Sequence, residues 1–110
     1  MQKQYRLKRR ATFNYVYKKG EKSSARHLLL LSVKSRSGLK VGISVSKKVG
    51  NAVTRNRVKR LIREGINCVF QQIATGYTYV IVAKASSCEA DYQTICQEVK
   101  EVFEKAGKLC

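Results

Sequence analysis

Residues 46–64 read SKKVGNAVTRNRVKRLIRE, and the remainder of the chain is best understood from this stretch outward. It holds seven Lys or Arg residues in nineteen positions, and Glu64 is its only acid. Like charges three and four residues apart destabilise a helix when no opposite charge is near them. Because Glu64 cannot pair with seven cations, an ordinary solvated helix face is the weaker interpretation. The stretch predicts a helix that binds a polyanion.

Apolar residues after Asn51 recur at the spacing of one helical face, which predicts a helix to about Gln72. Asn51 or Thr54 is the predicted N-cap, and Gly50 the turn before it. The apolar side chains form one stripe that can dock on a sheet. The stripe consists of Val58, Leu61, Ile62, Ile66, Val69 and Ile73.

The basic residues of this helix fall on two sides of the apolar stripe. Lys59 and Arg63, four residues apart, lie on one flank. Arg57 and Arg60 lie on the other flank, with Asn56 between them. One helix can therefore address two anionic surfaces.

Charge is distributed unevenly over the chain, whose formal net charge is +16. Residues 1–88 contain 20 Lys or Arg residues and two acids, whereas residues 89–110 contain three Lys and five acids. The partner therefore meets the first four fifths of the chain. A polybasic membrane-surface protein is the rival interpretation, but ordered Arg and Asn residues favour phosphate recognition over a Leu- and Phe-rich anchor.

The length of 110 residues predicts one domain with a modest core. No apolar run of 18 residues and no signal-peptide core are found, so we expect a cytoplasmic protein. The cysteines form no Cys-x-x-Cys pair, and His27 is the only histidine, which disfavours zinc and a disulfide framework. Reduced thiols are expected at Cys68, Cys88, Cys96 and Cys110.

Residues 1–10 are predicted to form a basic arm that orders on its partner. Thr12 is the predicted cap of a short helix that ends at Gly20. Phe13 and Tyr17 lie four residues apart on this helix. Their rings are either core contacts or, because cations bracket them, a platform on which unpaired bases stack.

Three segments read as strands. Residues 26–33 and 40–46 are predicted to pair as a hairpin, and residues 77–84 to lie inside the sheet. One face of the second strand carries only Gly42 and Ser residues, so another element can approach it closely. With a last helix capped by Asp91, the predicted order is αββαβα, which is an α+β fold.

The last helix is predicted to end at Gly107 and to turn its acids to solvent. We expect Glu98, Glu101 and Glu104 on that solvated face, which disfavours acid–base catalysis and Mg²⁺ binding by them. His27 is expected to be structural or exposed. The predicted apolar stripe consists of Tyr92, Ile95, Cys96, Val99, Val102, Phe103 and Ala106.

Residues 44–64, SVSKKVGNAVTRNRVKRLIRE, resemble the signature of the bacterial ribonuclease P protein subunit, whose RNR motif corresponds to Arg55, Asn56 and Arg57. Three further segments agree with that family, so the resemblance spans essentially the whole chain. They are RLKRRATFNYVYKKG at 6–20, VGISVSKK at 41–48 and YVIVAK at 79–84.

The resemblance implies a single RNA-binding domain over residues 1–110, an α/β sandwich similar to the second domain of a small-subunit ribosomal protein. It implies a left-handed βαβ crossover around the RNR helix, against the right-handed default. The implied partners are a catalytic RNA and precursor tRNA, without DNA or membrane. The protein is then a subunit of an endoribonuclease that removes the 5′ leader of precursor tRNA. Its side chains are not catalytic, it binds no cofactor alone, and RNA holds the Mg²⁺ that the holoenzyme requires.

Two sets of binding residues are carried over from the resemblance. Contacts to the catalytic RNA are expected from Lys47, Lys48, Asn51, Arg55, Asn56, Arg57 and Arg60. A cleft between the first helix, the sheet and the central helix is expected to bind the 5′ leader through Phe13, Tyr17, Leu29, Leu31, Ser44, Lys59 and Arg63. Family members often carry an aromatic residue where Leu31 stands, so apolar contact is expected to replace stacking there.

A noncatalytic basic RNA-binding or ribosome-associated module is the alternative function. A module of this kind would carry the same positive charge, but it would not need a cleft for the 5′ leader. A stand-alone protein nuclease is disfavoured because the sequence has no clustered His and carboxylates and no metal-ligand spacing.

Overall fold

A computed structural model describes residues 3–36 and 38–109. Cys110 and the first two residues of the predicted arm lie outside the described residues. The described chain forms three α-helices and four β-strands: α1 (Arg10–Lys19), β1 (Glu21–Ser24), β2 (Leu28–Lys34), β3 (Lys40–Val45), α2 (Ala52–Val69), β4 (Tyr77–Ala83) and α3 (Tyr92–Lys105). Short 3₁₀ turns lie at Lys3–Tyr5, Lys47–Val49, Phe70–Gln72 and Ala85–Glu89.

The strands form one mixed sheet in the order β1-β2-β4-β3. β1 and β2 are antiparallel, β2 and β4 are antiparallel, and β3 and β4 are parallel. The interior position predicted for residues 77–84 is confirmed, because β4 separates β2 from β3. The predicted hairpin between residues 26–33 and 40–46 is wrong for the same reason. The parallel pair joined through α2 is a βαβ unit, and its left-handedness stays a prediction.

β2 instead pairs with β1, a strand that the sequence prediction missed. The four residues of β1 read EKSS and show none of the apolar alternation from which a strand is recognised. Only Ser23 of this strand is buried, and its hydroxyl donates to the Val102 carbonyl oxygen at 2.8 Å. Tertiary pairing, rather than local pattern, makes this segment a strand.

The sheet buries both of its faces. Because successive side chains of a strand point to opposite faces, the continuous apolar run of β2 supplies two cores. The larger core lies between the sheet, α2 and α3, and includes Leu28 and Leu30. The smaller core lies beneath α1 and consists of Val16, Leu31 and Val80.

The predicted caps of the two long helices are confirmed. Asn51 Oδ1 accepts a hydrogen bond from the Thr54 amide at 2.9 Å, and Asp91 Oδ1 accepts one from the Thr94 amide at 2.8 Å. The apolar stripe predicted after Asn51 is buried throughout. Gly107 follows α3 with a φ of 71°, the left-handed conformation expected at a helix end.

The start of α1 differs from the prediction. The helix begins at Arg10, and Arg9 precedes it without a side-chain cap, so Thr12 lies inside the helix instead of capping it. The predicted end at Gly20 is confirmed. Gly20 donates to the Val16 carbonyl oxygen at 2.8 Å, and a Cβ at Gly20 would approach that oxygen to 2.6 Å.

Two predictions for α3 are wrong. Glu98, expected in solvent, is 7% exposed, and its Oε1 accepts a hydrogen bond from the His27 amide at 2.7 Å. The turn between β1 and β2 covers this face of α3, which no helical pattern can indicate. The structural interpretation of His27 is confirmed, because the residue is buried and its Nδ1 lies 2.8 Å from Ser86 Oγ. Tyr92, expected in the apolar stripe, is 46% exposed.

The predicted basic arm lies along the edge of the sheet in its described part. The Leu7 amide donates to the Val41 carbonyl oxygen at 2.9 Å, and Arg6 forms a parallel bridge with Val41. The rings of Tyr5 and Phe70 lie 5.0 Å apart. These contacts place the arm beside β3, and its ordering on a partner stays a prediction.

Candidate nucleic-acid interface

The residues expected to contact the catalytic RNA lie together at the start of α2. We call them the RNR surface. Lys47 and Lys48 are exposed on the 3₁₀ turn before the helix, and Arg55 is half-buried in its first turns. The sequence of turn, cap and helix thus gathers cations that are up to 13 positions apart in the chain. The RNR surface consists of Lys47, Lys48, Asn51, Arg55, Asn56, Arg57 and Arg60.

Arg57 connects the RNR surface to the start of α3. Its Nη2 donates to the Ala90 carbonyl oxygen at 3.2 Å. Hydrogen bonds from Thr94 lower the pKa of the Asp91 carboxyl, and the nearby Arg57 charge lowers it further. Arg57 therefore helps to hold α3 in place, whereas Arg60 is exposed three residues further along α2.

On the opposite flank of α2, Lys59 lines a cavity of about 660 Å³ between α1, β3 and α2. We call it the leader cleft. Four of the residues expected to bind the leader meet there. The walls of the leader cleft include Phe13 and Tyr17 from α1, Ser44 from β3 and Lys59 from α2.

Arg63, one turn after Lys59, lines a smaller adjoining cavity of about 150 Å³ together with Arg6 and Lys59. Partial burial, and secondarily the neighbouring Arg6 guanidinium, lower the pKa of Arg63 from its usual range. The Nε atoms of Arg6 and Arg63 are buried and have no hydrogen-bond partner. Arg6 and Arg63 together bring two positive charges to the wall of this cavity.

The sheet register sets the floor beside the leader cleft. Leu29 pairs with Val82, and Val82 pairs with Ser44, so the three half-buried side chains form one row across the face that α1 covers. Leu29 does not line the cavity itself and joins it only through this row. Val82 was missed, because the strand order needed to find it is not visible in the sequence.

Leu31 occupies a core position. It is 2% exposed and packs with Val16 and Val80 beneath α1. The neighbouring row of the sheet joins Leu31 through Val80 to Gly42, and α1 covers that row. Leu31 therefore lies in the core below the cleft, and its contact with the leader stays a prediction.

Five further residues line the leader cleft: Ile43 and Val45 of β3, and the polar residues Lys8, Arg10 and Asn14. Asn14 carried a signal that was overlooked, because Arg10, Asn14 and Tyr17 recur at helical spacing on the side of α1 that bears Phe13. The sequence indicated Lys8 only as a charge of the arm, and Arg10 also as a cation beside the Phe13 and Tyr17 rings. Their place in the cleft follows from the docking of that arm on β3.

The lining of both cavities is cationic, uncharged polar or apolar, and none of the described residues in it is Asp or Glu. Within residues 3–36 and 38–109, no three His, Cys, Asp or Glu side chains are grouped closely enough to hold a metal ion. In the same part of the chain, no helix has the length and apolar character needed to cross a bilayer. This chemistry suits single-stranded nucleic acid, whose phosphates meet Lys and Arg while its bases stack on Phe and Tyr.

Known proteins resemble this chain in both sequence and fold. The family model of ribonuclease P matches residues 1–107. The ribonuclease P protein component of Bacillus cereus strain B4264 is 35% identical over 109 residues, which cover 97% of this chain and 95% of that protein.

Solved structures agree with the sequence match. A Staphylococcus aureus RNase P protein mutant with defective mRNA degradation activity superposes with a TM-score of 0.89 at 31% identity, over 97% of this chain and 92% of the other. The RNase P protein of Thermotoga maritima gives a TM-score of 0.81 at 25% identity, over 90% and 94%.

Proposed function

The chain belongs to the ribonuclease P protein family, and on that premise we propose that its two basic surfaces bind two different RNAs. As a ribonuclease P protein component, the chain is a subunit of an endoribonuclease holoenzyme that acts in tRNA 5′ processing. This membership implies a partner RNA and a tRNA substrate.

The RNR surface binds the catalytic RNA in this proposal. Its exposed Lys, Arg and Asn side chains can contact phosphate and sugar oxygens, which position an RNA without reading its bases. The 3₁₀ turn and the Asn51 cap hold these donors on one rigid end of α2. A surface with preset donors loses less conformational entropy on binding.

The leader cleft binds the single-stranded 5′ leader of precursor tRNA. Phe13 and Tyr17 offer ring faces, and Lys59 and Arg63 offer positive charge for the phosphates. The observation that carries the proposal is that α2 turns cations to two opposite sides. Arg57 reaches α3, whereas Lys59 and Arg63 face the arm and β3.

Binding to both RNAs gives the protein its part in specificity. The protein neutralises phosphates of the catalytic RNA and the substrate together, which lowers the electrostatic cost of their association. Mature tRNA has no leader and therefore makes no contact in the leader cleft. The holoenzyme should thus prefer precursor over product.

The bond cleavage itself we assign to the RNA. Protein sites for Mg²⁺ are built on one or two carboxylates, and the described lining of the leader cleft has no carboxylate, so these residues do not fit a magnesium site. RNA phosphates hold the Mg²⁺ that the holoenzyme requires in this proposal. A mutant of the related Staphylococcus aureus protein is defective in mRNA degradation activity. For the present chain we propose no cleavage without RNA. We place the holoenzyme in the cytoplasm, where its free thiols stay reduced.

The decisive experiment is 5′ cleavage of precursor tRNA at low, physiological magnesium by a bacterial ribonuclease P RNA, with and without this protein. We expect strong protein-dependent cleavage at the mature 5′ end and none with protein alone. The Lys59→Ala/Arg63→Ala variant should lose the preference for precursor over mature tRNA. Lys100→Ala removes an exposed charge of α3 and serves as the control. If tight RNA binding gave no stimulation, the protein would be a basic RNA-binding module instead.

A further inference from the structure

Two cysteines meet where α2 packs against α3, outside the residues assigned to either RNA above. Cys68 is exposed in the last turn of α2, and Cys96 is half-buried in the second turn of α3. Both are free thiols. The Cys96 thiol donates a hydrogen bond to the Cys68 sulfur, and the Tyr92 hydroxyl donates to both sulfurs. We call these three side chains the thiol seam.

Gly65 brings the two helices together beside the thiol seam. It is buried, and a Cβ at this position would lie 3.4 Å from Cys96 Cα and 3.0 Å from Val99 Cγ2. Cys68 follows Gly65 by three residues, and Tyr92 precedes Cys96 by four, so each pair shares one side of its helix. Because these sides meet at Gly65, the packing of α2 on α3 holds the two thiols close to each other.

The residues of the thiol seam favour a bond between the two sulfurs over a metal site. A structural zinc site takes four ligands from Cys, His and carboxylate side chains. Within residues 3–36 and 38–109, no third side chain of that kind lies close enough to the two cysteines to form a metal-binding group with them. A disulfide needs only two sulfurs whose Cβ atoms can approach to about 3.5–4.5 Å. Two thiols that already contact each other suit this reaction.

The two thiols differ in their access to an oxidant. Cys68 is exposed, so a small solute reaches its sulfur directly. Burial, as the largest cause, raises the pKa of the Cys96 thiol, which keeps that group protonated and less reactive. An oxidant therefore meets Cys68 first, and Cys96 is the neighbour that can react with the product.

From these observations we propose that Cys68 and Cys96 form a reversible disulfide when the protein meets hydrogen peroxide. The Cys68 thiolate attacks one peroxide oxygen, so that an S–O bond forms, the O–O bond breaks and the departing hydroxide takes up a proton. The Cys96 thiolate then attacks the sulfur of the Cys68 sulfenic acid, which forms the S–S bond and releases a second hydroxide. Two thiols are oxidised to one disulfide, and the peroxide is reduced to two waters. A dithiol restores the thiols by exchange.

The disulfide ties α2 to α3 and closes a loop of the chain that contains β4. Closing a loop constrains the unfolded chain and so stabilises the fold. The RNR surface lies at the other end of α2, and Lys59 and Arg63 lie on its opposite flank. Oxidation therefore leaves both RNA surfaces open while it protects their shared helix from unfolding. Transient disulfides of this kind are the usual ones in a reducing compartment.

The test exposes the folded, full-length protein to hydrogen peroxide, alkylates the remaining thiols and digests the protein without reduction. Trypsin and a glutamate-specific protease together place Cys68 in residues 65–84, Cys88 in 85–89 and Cys96 in 90–98. We expect residues 65–84 joined to 90–98 with the loss of two hydrogens, and a dithiol should separate them. Thiol titration should show the loss of two of the four thiols.

Matched variants assign the role of each sulfur. Cys88→Ser/Cys110→Ser removes the other two thiols and should keep the bond. Cys96→Ser should stop the reaction at the Cys68 sulfenic acid, which dimedone traps, and Cys68→Ser should abolish that adduct. Oxidised wild type should unfold at a higher urea concentration than reduced wild type, whereas Cys68→Ser/Cys96→Ser should show no such shift.

Several outcomes would overturn the proposal. They are a bond from Cys68 to Cys88 or Cys110, covalent dimers as the main product, and further oxidation of Cys68 while Cys96 stays reduced. Oxidation in concentrated urea tests the part played by the fold. If the unfolded chain joins Cys68 to Cys96 in the same proportion, the thiol seam does not direct the reaction. Because none of these measurements involves RNA, their failure leaves the RNA assignments untouched.

Discussion

The Phe13 ring lies directly against the backbone of Gly42. A Cβ on Gly42 would stand 2.6 Å from Phe13 Cζ and 2.7 Å from Cε1, closer than real Cβ contacts come. The small-residue face predicted for residues 40–46 therefore has a definite role: it lets α1 bring an aromatic ring onto β3. That contact sets the position of the ring in the leader cleft.

The Gly42→Ala change should consequently weaken precursor binding without affecting the catalytic RNA. The added methyl group has to displace the ring, and overpacking of this kind costs about 1 to 3 kcal/mol. We expect a lower affinity of the holoenzyme for precursor relative to mature tRNA. The double variant Gly42→Ala/Phe13→Leu should lose no more than Phe13→Leu alone, because the clash partner is gone. Additive losses would contradict the role of this contact.

Arg60→Ala should weaken binding of the catalytic RNA by about 1 to 3 kcal/mol, if Arg60 makes a charge-assisted hydrogen bond. Arg60 is the cleaner choice, because Arg57 also donates to the Ala90 carbonyl oxygen and its loss mixes folding with binding. Titrations at several salt concentrations should show the log–log slope reduced by about 0.7 to 0.9. Lys100→Ala should leave affinity and slope unchanged. An Arg60→Ala affinity within twofold of wild type would move the interface elsewhere.

Glu98→Ala should destabilise the fold, because Glu98 is the buried acid of α3. Its loss leaves the buried His27 amide without an acceptor, at a cost of about 1 to 3 kcal/mol. Urea denaturation measures the difference. The control is Glu101→Ala, which removes an exposed ion pair with Lys105 and should cost less than about 1 kcal/mol. Equal losses in the two variants would show that the His27 contact is not stabilising.

Cys68 of α2 and Cys96 of α3 should differ in their reactivity towards thiol reagents. Burial, as the largest cause, raises the pKa of the Cys96 thiol, whereas Cys68 is exposed. At pH 8 a thiol reagent should therefore modify Cys68 first and Cys96 more slowly, which mass spectrometry of digested protein can follow. Urea should remove the difference. Faster labelling of Cys96 in folded protein would contradict this assignment.

Tyr92 should titrate well above an ordinary tyrosine. Hydrogen bonds to Cys96 and Cys68 raise the pKa of Tyr92 from 10.0 to about 12. Because the folded pKa exceeds the unfolded one, the stabilisation is complete below pH 10 and is lost as pH rises through about 12. Ultraviolet titration should show a phenolate step near that pH, and Tyr92→Phe should remove it. A spectrum unchanged by the substitution would refute the shift.

The sequence alone predicted the features that depend on local periodicity. It found the apolar stripe of α2 and the caps at Asn51 and Asp91, because the helical pattern repeats within four residues and a cap lies within three. It found the interior strand at 77–84 from a continuous apolar run. The two cationic flanks of α2 were found in the same way. They follow from the angle of 100° between successive residues, and tertiary structure does not change that angle.

Tertiary structure alone decided which elements cover one another. β1 is a strand because β2 pairs with it, Glu98 is buried because the His27 turn lies over α3, and Leu31 is a core residue because α1 covers its row. Lys8 lines the leader cleft only because the arm docks on β3. Val82 adjoins the leader cleft only through the register of the sheet. Each of these depends on contacts between residues far apart in the chain, and a local pattern of apolar and charged residues carries no record of them. The sequence therefore determined the helices and the charged flanks of α2, and the packing of distant segments determined the shape of the leader cleft.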